Sequence, residues 1–286
     1  MRAFATSILV FAATFLLCYP LEHKTSAGRF RKMDAAYFLD IEYMLLAVLL
    51  YPFVTEAIYA AAGNLPDILH RLPLISLRPL PLISLRPLPL ISLRPLPLIS
   101  LRPLPQAAQF LAALFVYDLV NAVRHRFFHK GALWRVHSVH HSAAEVNWVT
   151  KFRTHPAENL LIMFLSVAVT LALLGAFGIG GAGAVAAAVV FGNVYGAFIH
   201  ANCSWTFGPL KRVLASPVYH RWHHSADTAA QDKNFASVFP VIDMVMGTYY
   251  MPEDRLPRDL GIGAGQAAYP QTFWRQIIYP FRREKI

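Results

Sequence analysis

Residues 160–199 read LLIMFLSVAVTLALLGAFGIGGAGAVAAAVVFGNVYGAFI, forty positions without a charged side chain. The glycine-rich centre, GIGGAG at 178–183, divides this stretch into two apolar halves of similar length. At 1.5 Å per residue, a helix of about 17 residues spans roughly 26 Å, close to the thickness of the hydrocarbon core. The pattern predicts a transmembrane hairpin, which returns the chain to the side of the membrane that it left.

The composition is that of a membrane protein. Hydrophobic residues make up 56% of the chain and charged residues 15%, against roughly 45–50% and about 25% in soluble domains. The net charge is +10, but no basic patch interleaved with aromatics is present, so we expect no nucleic-acid partner. The two cysteines, Cys18 and Cys203, form no C-x-x-C pair, which argues against a disulfide framework or a thiolate metal site.

Three further segments are long and apolar enough to be membrane helices: 3–20, 43–62 and 106–123. The first has an alternative interpretation as a signal peptide that is cleaved. With the hairpin, these segments predict an all-α, multi-pass integral membrane protein with five crossings. Lysine and arginine are frequent in 21–35, around the histidine-rich segments and in the C-terminal tail. The positive-inside rule therefore places the histidine-rich segments on the cytoplasmic face, as a cap on the membrane helices.

The chain divides into four parts by composition: N-terminal membrane helices (1–62), a proline-rich linker (63–105), a histidine-rich domain (106–255) and a basic tail (256–286). The linker contains four identical copies of PLISLRPL at 73–104. Two prolines in every eight residues prevent a continuous helix or an interior strand. We therefore expect an extended linker without a role in the site.

Three short segments concentrate the histidines: HRFFH at 125–129, HSVHH at 137–141 and HRWHH at 220–224. Helical residues at i, i+3 and i+4 share a face, so each segment directs two or three imidazoles toward one point. A single such pair is often only a polar helix face, but the hairpin allows all three segments to meet. Neutral imidazole is the commonest metal ligand of proteins. Together with His200, these segments supply nine ligands, enough for two metal ions: His125, His129, His137, His140, His141, His200, His220, His223 and His224.

Glycines in the apolar stretch have two further interpretations. GIGGAG at 178–183 matches the dinucleotide fingerprint G-x-G-x-x-G, but no βαβ pattern surrounds it and no acidic residue follows about 20 positions later. The match is therefore rejected. Gly192 and Gly196 are spaced G-x-x-x-G, which predicts close helix packing in lipid.

The order of the three histidine segments resembles that of the fatty acid hydroxylase superfamily, which includes sterol desaturases, methyl-sterol oxidases and carotene hydroxylases. The resemblance covers about 110–255 and extends beyond the histidines. It is carried by LWRVHSVHHS (133–142), RTHPAE (153–158), ANCSWTFGPL (201–210), SPVYHRWHHS (216–225), DKNF (232–235) and IDMVMGT (242–248).

The resemblance implies a helical membrane domain with a cytosolic histidine-rich cap and a non-haem di-iron centre, that is, two Fe ions with O2 as co-substrate. The implied reaction is C–H hydroxylation of a sterol, fatty acyl chain or related membrane lipid. The alternatives are a desaturase or methyl oxidase of the same family, or a membrane protein that binds metal without catalysis. The chain has no C-x-x-C-H haem site and no credible flavin or nicotinamide fingerprint. An external electron donor, such as a ferredoxin, a cytochrome or a reductase, is therefore implied.

Three polar residues are predicted to support this centre. Asp118 lies seven residues before His125 on the same helix side, so we expect it to orient a ligand histidine. Asn234, in DKNF, is expected among the residues around the ligands. His155, in RTHPAE, is either a tenth ligand or one of these supporting residues.

Overall fold

The computed structural model describes most of the chain apart from several segments. The described residues are 2–25, 34–50, 52–53, 101, 103–162, 182–252 and 255–282. The PLISLRPL repeat lies almost entirely outside them, as do half of the crossing predicted at 43–62 and most of the first half of the hairpin.

The described residues are mostly helical and contain no β-strand, as the all-α prediction requires. In chain order, the α-helices are α1 (Arg2–Thr25), α2 (35–50), α3 (Gln106–Phe128), α4 (Gly131–His141), α5 (Pro156–Leu161), α6 (Ala182–His200), α7 (Pro217–His223), α8 (Val241–Met246) and α9 (Phe273–Ile278). Short 3-10 turns occupy Trp148–Phe152, Gly208–Arg212, Thr228–Ala230, Gly263–Ala268 and Tyr279–Phe281.

Among the residues that could be searched, α3 is the one helix that is long and apolar enough to cross a membrane. A shorter apolar helix, Ala186–His200, forms most of α6, the second half of the predicted hairpin. The prediction of several crossings therefore stays a prediction.

Small residues allow α3 and α6 to pack closely. A Cβ added at Gly192 of α6 would lie 2.5 Å from the ring of Tyr117 in α3. A Cβ at Gly196 would lie 3.3 Å from Cε of Lys151, whose ammonium group donates to the carbonyl of Asn193. The G-x-x-x-G spacing thus provides one gap for a ring of the neighbouring helix and a second gap for a lysine stem.

Short connections and helix caps place the histidine segments next to one another. α3 ends at Phe128 and α4 begins at Gly131, so only two residues separate the helices that carry the first two segments. Gly131 has φ +53°, a left-handed conformation that glycine adopts without strain. Before α7, the Ser216 side chain accepts the N–H of Tyr219, and Pro217 occupies the first helical position. These signals start the third histidine segment as a helix.

An ion pair buried beneath α4 connects α2 to the segment that follows the second histidine cluster. Arg153 is 1% exposed, and its Nε donates to the carboxylate of Asp40 in α2. A second nitrogen of Arg153 donates to the carbonyl of Ala36, and Asp40 also accepts from the Thr150 hydroxyl. Each charge is satisfied by the other and by neighbouring dipoles, which is the condition under which a buried ion pair is tolerated.

Helix α1 is attached to the histidine-bearing region through a buried carboxylate. Glu22 is 6% exposed. Its Oε1 accepts the backbone N–H groups of Trp148, at 2.8 Å, and Asn202, at 2.7 Å. The rings of Phe11 and Phe152 pack nearby with centroids 4.9 Å apart. One side chain of α1 thus holds the segments that follow α4 and α6 together.

We predict that Glu22→Ala lowers the thermal unfolding midpoint of the protein in detergent. The substitution leaves the buried N–H of Trp148 and the partly buried N–H of Asn202 without an acceptor, and the loss at a buried N–H costs about 1–3 kcal/mol. Glu42→Ala, which removes an exposed carboxylate of α2, is the matched control and should leave the midpoint nearly unchanged. Equal midpoints for the two variants would contradict this role of Glu22.

Candidate metal centre

The structure brings all nine predicted histidines into two groups, each with its ligand atoms within 4.8 Å of one another. The five-histidine group consists of His125, His129, His137, His141 and His223. The four-histidine group consists of His140, His200, His220 and His224. His155 belongs to neither group.

Helix α4 divides its histidines between the two groups. His137 and His141, one turn apart, point into the five-histidine group, whereas His140 points into the four-histidine group. The H-x-x-H-H spacing produces this division, because residues at i, i+3 and i+4 fan out over adjacent parts of one helix face.

The same H-x-x-H-H spacing occurs at 220–224, in α7 and its C-terminal cap. Here one histidine joins the five-histidine group and two join the four-histidine group. His220 and His224 join the four-histidine group, and His223 joins the five-histidine group. The two groups are in contact, since the rings of His141 and His224 stack with centroids 4.6 Å apart. The nine imidazoles therefore form one continuous cluster around two centres.

Four of the histidines are oriented by backbone carbonyls. In each, Nδ1 faces a carbonyl oxygen: His125 and Phe235 at 3.2 Å, His140 and Arg153 at 3.2 Å, His200 and Gly196 at 2.6 Å, and His223 and Lys233 at 2.7 Å. A carbonyl oxygen can only accept, so Nδ1 carries the hydrogen. In a neutral ring, Nε2 then holds a lone pair and no hydrogen.

The lone pairs of two such rings point at each other. Nε2 of His140 lies 3.2 Å from Nε2 of His200, and neither nitrogen has a hydrogen to donate while both rings are neutral. Two facing lone pairs at this distance repel unless a cation lies between or beside them. A metal ion bound by both nitrogens removes this repulsion.

Other buried nitrogens also fit a metal. Among the residues that the structure describes, the buried Nε2 atoms of His129, His141 and His223 have no hydrogen-bond partner. A buried polar atom without a partner is costly. All three belong to the five-histidine group, so one ion at its centre would satisfy them. The donor set of both groups therefore fits metal binding.

Burial keeps these imidazoles neutral. The largest cause is desolvation by burial, and neighbouring histidines add to it. Together they lower the pKa well below 6.5 for six histidines: His137, His140, His141, His220, His223 and His224. Neutral imidazole is the form that binds a metal, so the environment prepares the rings for this role.

Two carboxylates that were not predicted from the sequence contact the five-histidine group. Oε1 of Glu158 lies 2.8 Å from Nδ1 of His137, and burial raises the pKa of Glu158 to about 7. Oδ1 of Asp232 lies 3.2 Å from Nδ1 of His129. The hydrogen bond from His129 holds the pKa of Asp232 below its usual value, and Lys130 adds to this effect. Both acids lie in the motifs RTHPAE and DKNF, which were the available signal.

Asn234 positions the loop between the third histidine segment and α8. It adopts φ +60°, and its side-chain amide donates to the carbonyls of Tyr219 and Tyr250. The neighbouring carbonyls, those of Lys233 and Phe235, are the ones that face two of the histidines. Asn234 thus holds the backbone whose carbonyls contact His223 and His125.

The structure corrects the expectation that Asp118 orients a histidine directly. Asp118 is 1% exposed, and its carboxylate accepts the backbone N–H groups of Ser237, Val238 and Phe239. These residues continue the loop that carries the Phe235 carbonyl. Asp118 therefore anchors this loop against α3.

His155 is also corrected as a tenth ligand, because both of its ring nitrogens are engaged elsewhere. Nδ1 accepts the N–H of Ala157 and caps α5, and Nε2 lies 2.9 Å from the carbonyl oxygen of Ile277. The hydrogen bond at Nδ1 fixes the start of α5, the short helix that carries Glu158. The alternative, a supporting role, agrees with this geometry.

Comparisons with known proteins agree with the site. Residues 110–248 match the family model described as fatty acid hydroxylase. Over 62% of this chain, the sequence is 31% identical to the ornithine lipid hydroxylase OlsE of Rhizobium tropici. Over 46% of this chain, it is 30% identical to the alkylglycerol monooxygenase of Danio rerio and 27% identical to that of Homo sapiens. No solved structure matches the chain.

The chain spans about half the length of the curated hydroxylase and less of the monooxygenases, 52% of the first and 28% of each of the other two. The names of all three relatives denote oxidoreductases that act on lipids. Through its histidine-rich region, residues 110–248, this chain belongs to the fatty acid hydroxylase superfamily.

Proposed function

We propose that this protein is a membrane-bound, O2-dependent lipid hydroxylase with a non-haem centre of two iron ions held by the nine histidines. The observation that carries the proposal is the pair of adjacent imidazole groups, with their ligand atoms gathered within 4.8 Å in each. The facing lone pairs of His140 and His200 support a bound cation in one group. The unpartnered nitrogens support a second cation in the other group.

The choice of iron rests on the donor set and on the relatives. Imidazole suits iron, zinc and copper alike, but zinc undergoes no redox change. The relatives are named hydroxylase and monooxygenase, and both reactions are oxidations. When bound, iron would supply the oxygen activation that C–H hydroxylation needs.

The residues of the chain hold the ligands and exclude water. Backbone carbonyls and the carboxylates of Glu158 and Asp232 fix the orientation of the rings. The ring of Phe235, 1% exposed, contacts His129 with centroids 4.9 Å apart. His125 lies in the last turn of α3, the candidate membrane helix, so the site adjoins the region where a lipid chain would lie.

Hydroxylation is preferred to the alternatives because of the names of the relatives. Ornithine lipid hydroxylase and alkylglycerol monooxygenase act on lipids, and neither name denotes a desaturase. We accordingly propose a membrane lipid as the substrate and an external electron carrier as the partner. A multi-pass topology with the histidines on the cytoplasmic side is part of this proposal, supported by the basic segments that flank them.

We predict that the purified protein in detergent binds close to two irons per chain and oxidises a lipid only with O2 and an electron donor. His223→Ala removes a ligand of the five-histidine group and should abolish turnover. The protein should remain folded, because apolar packing holds the helices together. Metal analysis, lipid mass spectrometry and thermal unfolding measure these three outcomes.

Two results would count against this assignment. Turnover that persists in His223→Ala, or in an iron-free preparation, contradicts the di-iron centre. Full occupancy by zinc without oxidation of any lipid favours the metal-binding protein without catalysis.

We predict that Glu158→Gln weakens iron binding about 10–100-fold, the usual effect of removing a residue that orients a ligand histidine. The amide keeps the shape of the carboxylate but loses its charge beside His137. Glu145→Gln, at an exposed position after α4, is the control and should bind iron normally. Competition with a chelator measures the affinities, and equal values for both variants would refute this role of Glu158.

We also predict that the metal-free protein is destabilised by acid. Six buried histidines have folded-state pKa values well below 6.5, so the unfolded chain binds more protons below pH 6.5. Their contribution to stability is complete above that pH and is lost as the pH falls below it. Glu158, with its raised pKa, acts in the opposite direction between pH 7 and 4.5, but the six histidines outnumber the groups of this kind. Thermal midpoints between pH 8 and 5 measure the effect, and a midpoint that rises on acidification would contradict it.

A further inference from the structure

We infer that the surface around Trp134 is the docking face for an acidic one-electron carrier protein, and that the Trp134 ring is the route from this face to the five-histidine group. The inference rests on the proposed function, because electrons must reach a buried centre for which the chain has no haem or flavin motif. It concerns residues of this chain that are outside the ligand set.

The position of Trp134 is the first argument. It lies in the first turn of α4 and is a partly exposed residue. The ring centroid lies 5.1 Å from that of His129 and 5.3 Å from that of His141. Two other aromatic rings of the described residues pack against this group, those of Phe128 and Phe235, but they are 4% and 1% exposed. Trp134 therefore combines contact with the histidines and access to solvent.

The charge of the surrounding surface is the second argument. Arg126 and Lys130 are exposed at the end of α3, four residues apart, and Arg135 follows Trp134. The acid described beside them, Asp232, is paired with Lys130 and with His129. Cations are thus in excess here. Complementary charge steers the encounter of proteins and orients the complex, so this face fits a carrier with an acidic surface.

Apolar side chains complete the face. Phe127 is 63% exposed and Leu133 is 37% exposed, close in sequence to the cations and on either side of the α3–α4 turn. A surface that mixes exposed apolar groups with like charges is suited to a transient partner. Electron-transfer complexes are small and weak in general.

Contact between the two groups allows electrons that enter by this route to reach both. His141, against which Trp134 packs, stacks on His224 of the four-histidine group. Each encounter would transfer one electron from the reduced centre of the carrier to iron held by these histidines. Two encounters, one O2 and two protons give the hydroxylated lipid and one water, which balances atoms and electrons.

The test compares two reductants on the iron-loaded protein under anaerobic conditions. A reduced [2Fe–2S] ferredoxin of negative net charge reports on docking and transfer, whereas dithionite, a small molecule, reports on the iron centre alone. We expect Trp134→Leu to slow the reduction by saturating ferredoxin severalfold while iron content and reduction by dithionite stay normal. Trp134→Phe, which keeps a ring, should lie between this variant and the wild type. Trp274→Leu, the same change at a tryptophan of α9 that is 73% exposed and has no described contact with the histidines, is the matched control.

A second arm tests the docking face without using the metal. Binding of oxidised ferredoxin to the metal-free protein in nanodiscs should weaken in Arg126→Glu, and association should slow by about tenfold at low salt, an effect of steering that high salt removes. Arg212→Glu is the control. Leu214, two residues after Arg212, packs against the buried cluster that contains Ala113 and Leu114 of α3. Leu114 lies about 18 Å along the helix from Arg126.

The outcomes separate this inference from the proposed function. Equal rates with ferredoxin for Trp134→Leu and Trp274→Leu overturn the route through the ring. Equal binding by Arg126→Glu and Arg212→Glu overturns the docking face. Both results leave the di-iron proposal intact, whereas a wild-type protein that holds no iron reducible by dithionite overturns the proposed function and the inference together.

Discussion

The structure depends on one requirement: nine imidazoles must face two points with their lone pairs inward while they remain neutral. A neutral ring has one hydrogen, and for six of the nine rings the site directs that hydrogen outward by giving Nδ1 an acceptor. For His125, His140, His200 and His223 the acceptor is a backbone carbonyl. Burial then penalises protonation of the inner nitrogen. Repulsion between the inner lone pairs is what a bound cation removes.

This requirement explains why loops and short helices surround the site. A helix interior has few carbonyls to offer, since each already accepts an i+4 N–H, so three of the four acceptors come from the loops at Arg153, Lys233 and Phe235. A loop that presents its carbonyls inward leaves its own N–H groups in need of partners. Buried carboxylates supply them. Asp118 accepts from 237–239, and Asp243 accepts the N–H groups of 235 and 236 as well as two hydroxyl groups.

The sequence predicted the histidines better than their surroundings. Local spacing on a helix identified eight of them, because i, i+3 and i+4 share a face whatever the tertiary structure. His200 was added because it ends the second half of the predicted hairpin, next to the other segments. Their division into groups of five and four depends on how α4 and α7 are rotated against each other, which no local pattern contains. Glu158 and Asp232 contact histidines 21 and 103 positions away in the chain. Asp118 was assigned to a histidine because its side of the helix was predictable, whereas the loop at 237–239 that it binds was not. The helical class followed from composition, whereas the number of crossings depends largely on segments outside the described residues.

The sharing of helices between the groups has a mechanical consequence. Because α4 and α7 each supply histidines to both groups, the separation of the two centres is set by the geometry of a single helical turn. His140 and His141 are consecutive residues that point to different centres, and so are His223 and His224. A displacement of either helix would move ligands of both centres together, so the centres cannot shift independently. Two features hold these helices in place: the buried ion pair of Arg153 with Asp40 near α4 and the serine cap of α7. Each therefore acts on both centres. Together they determine the distance between the two metal ions that the proposed chemistry requires.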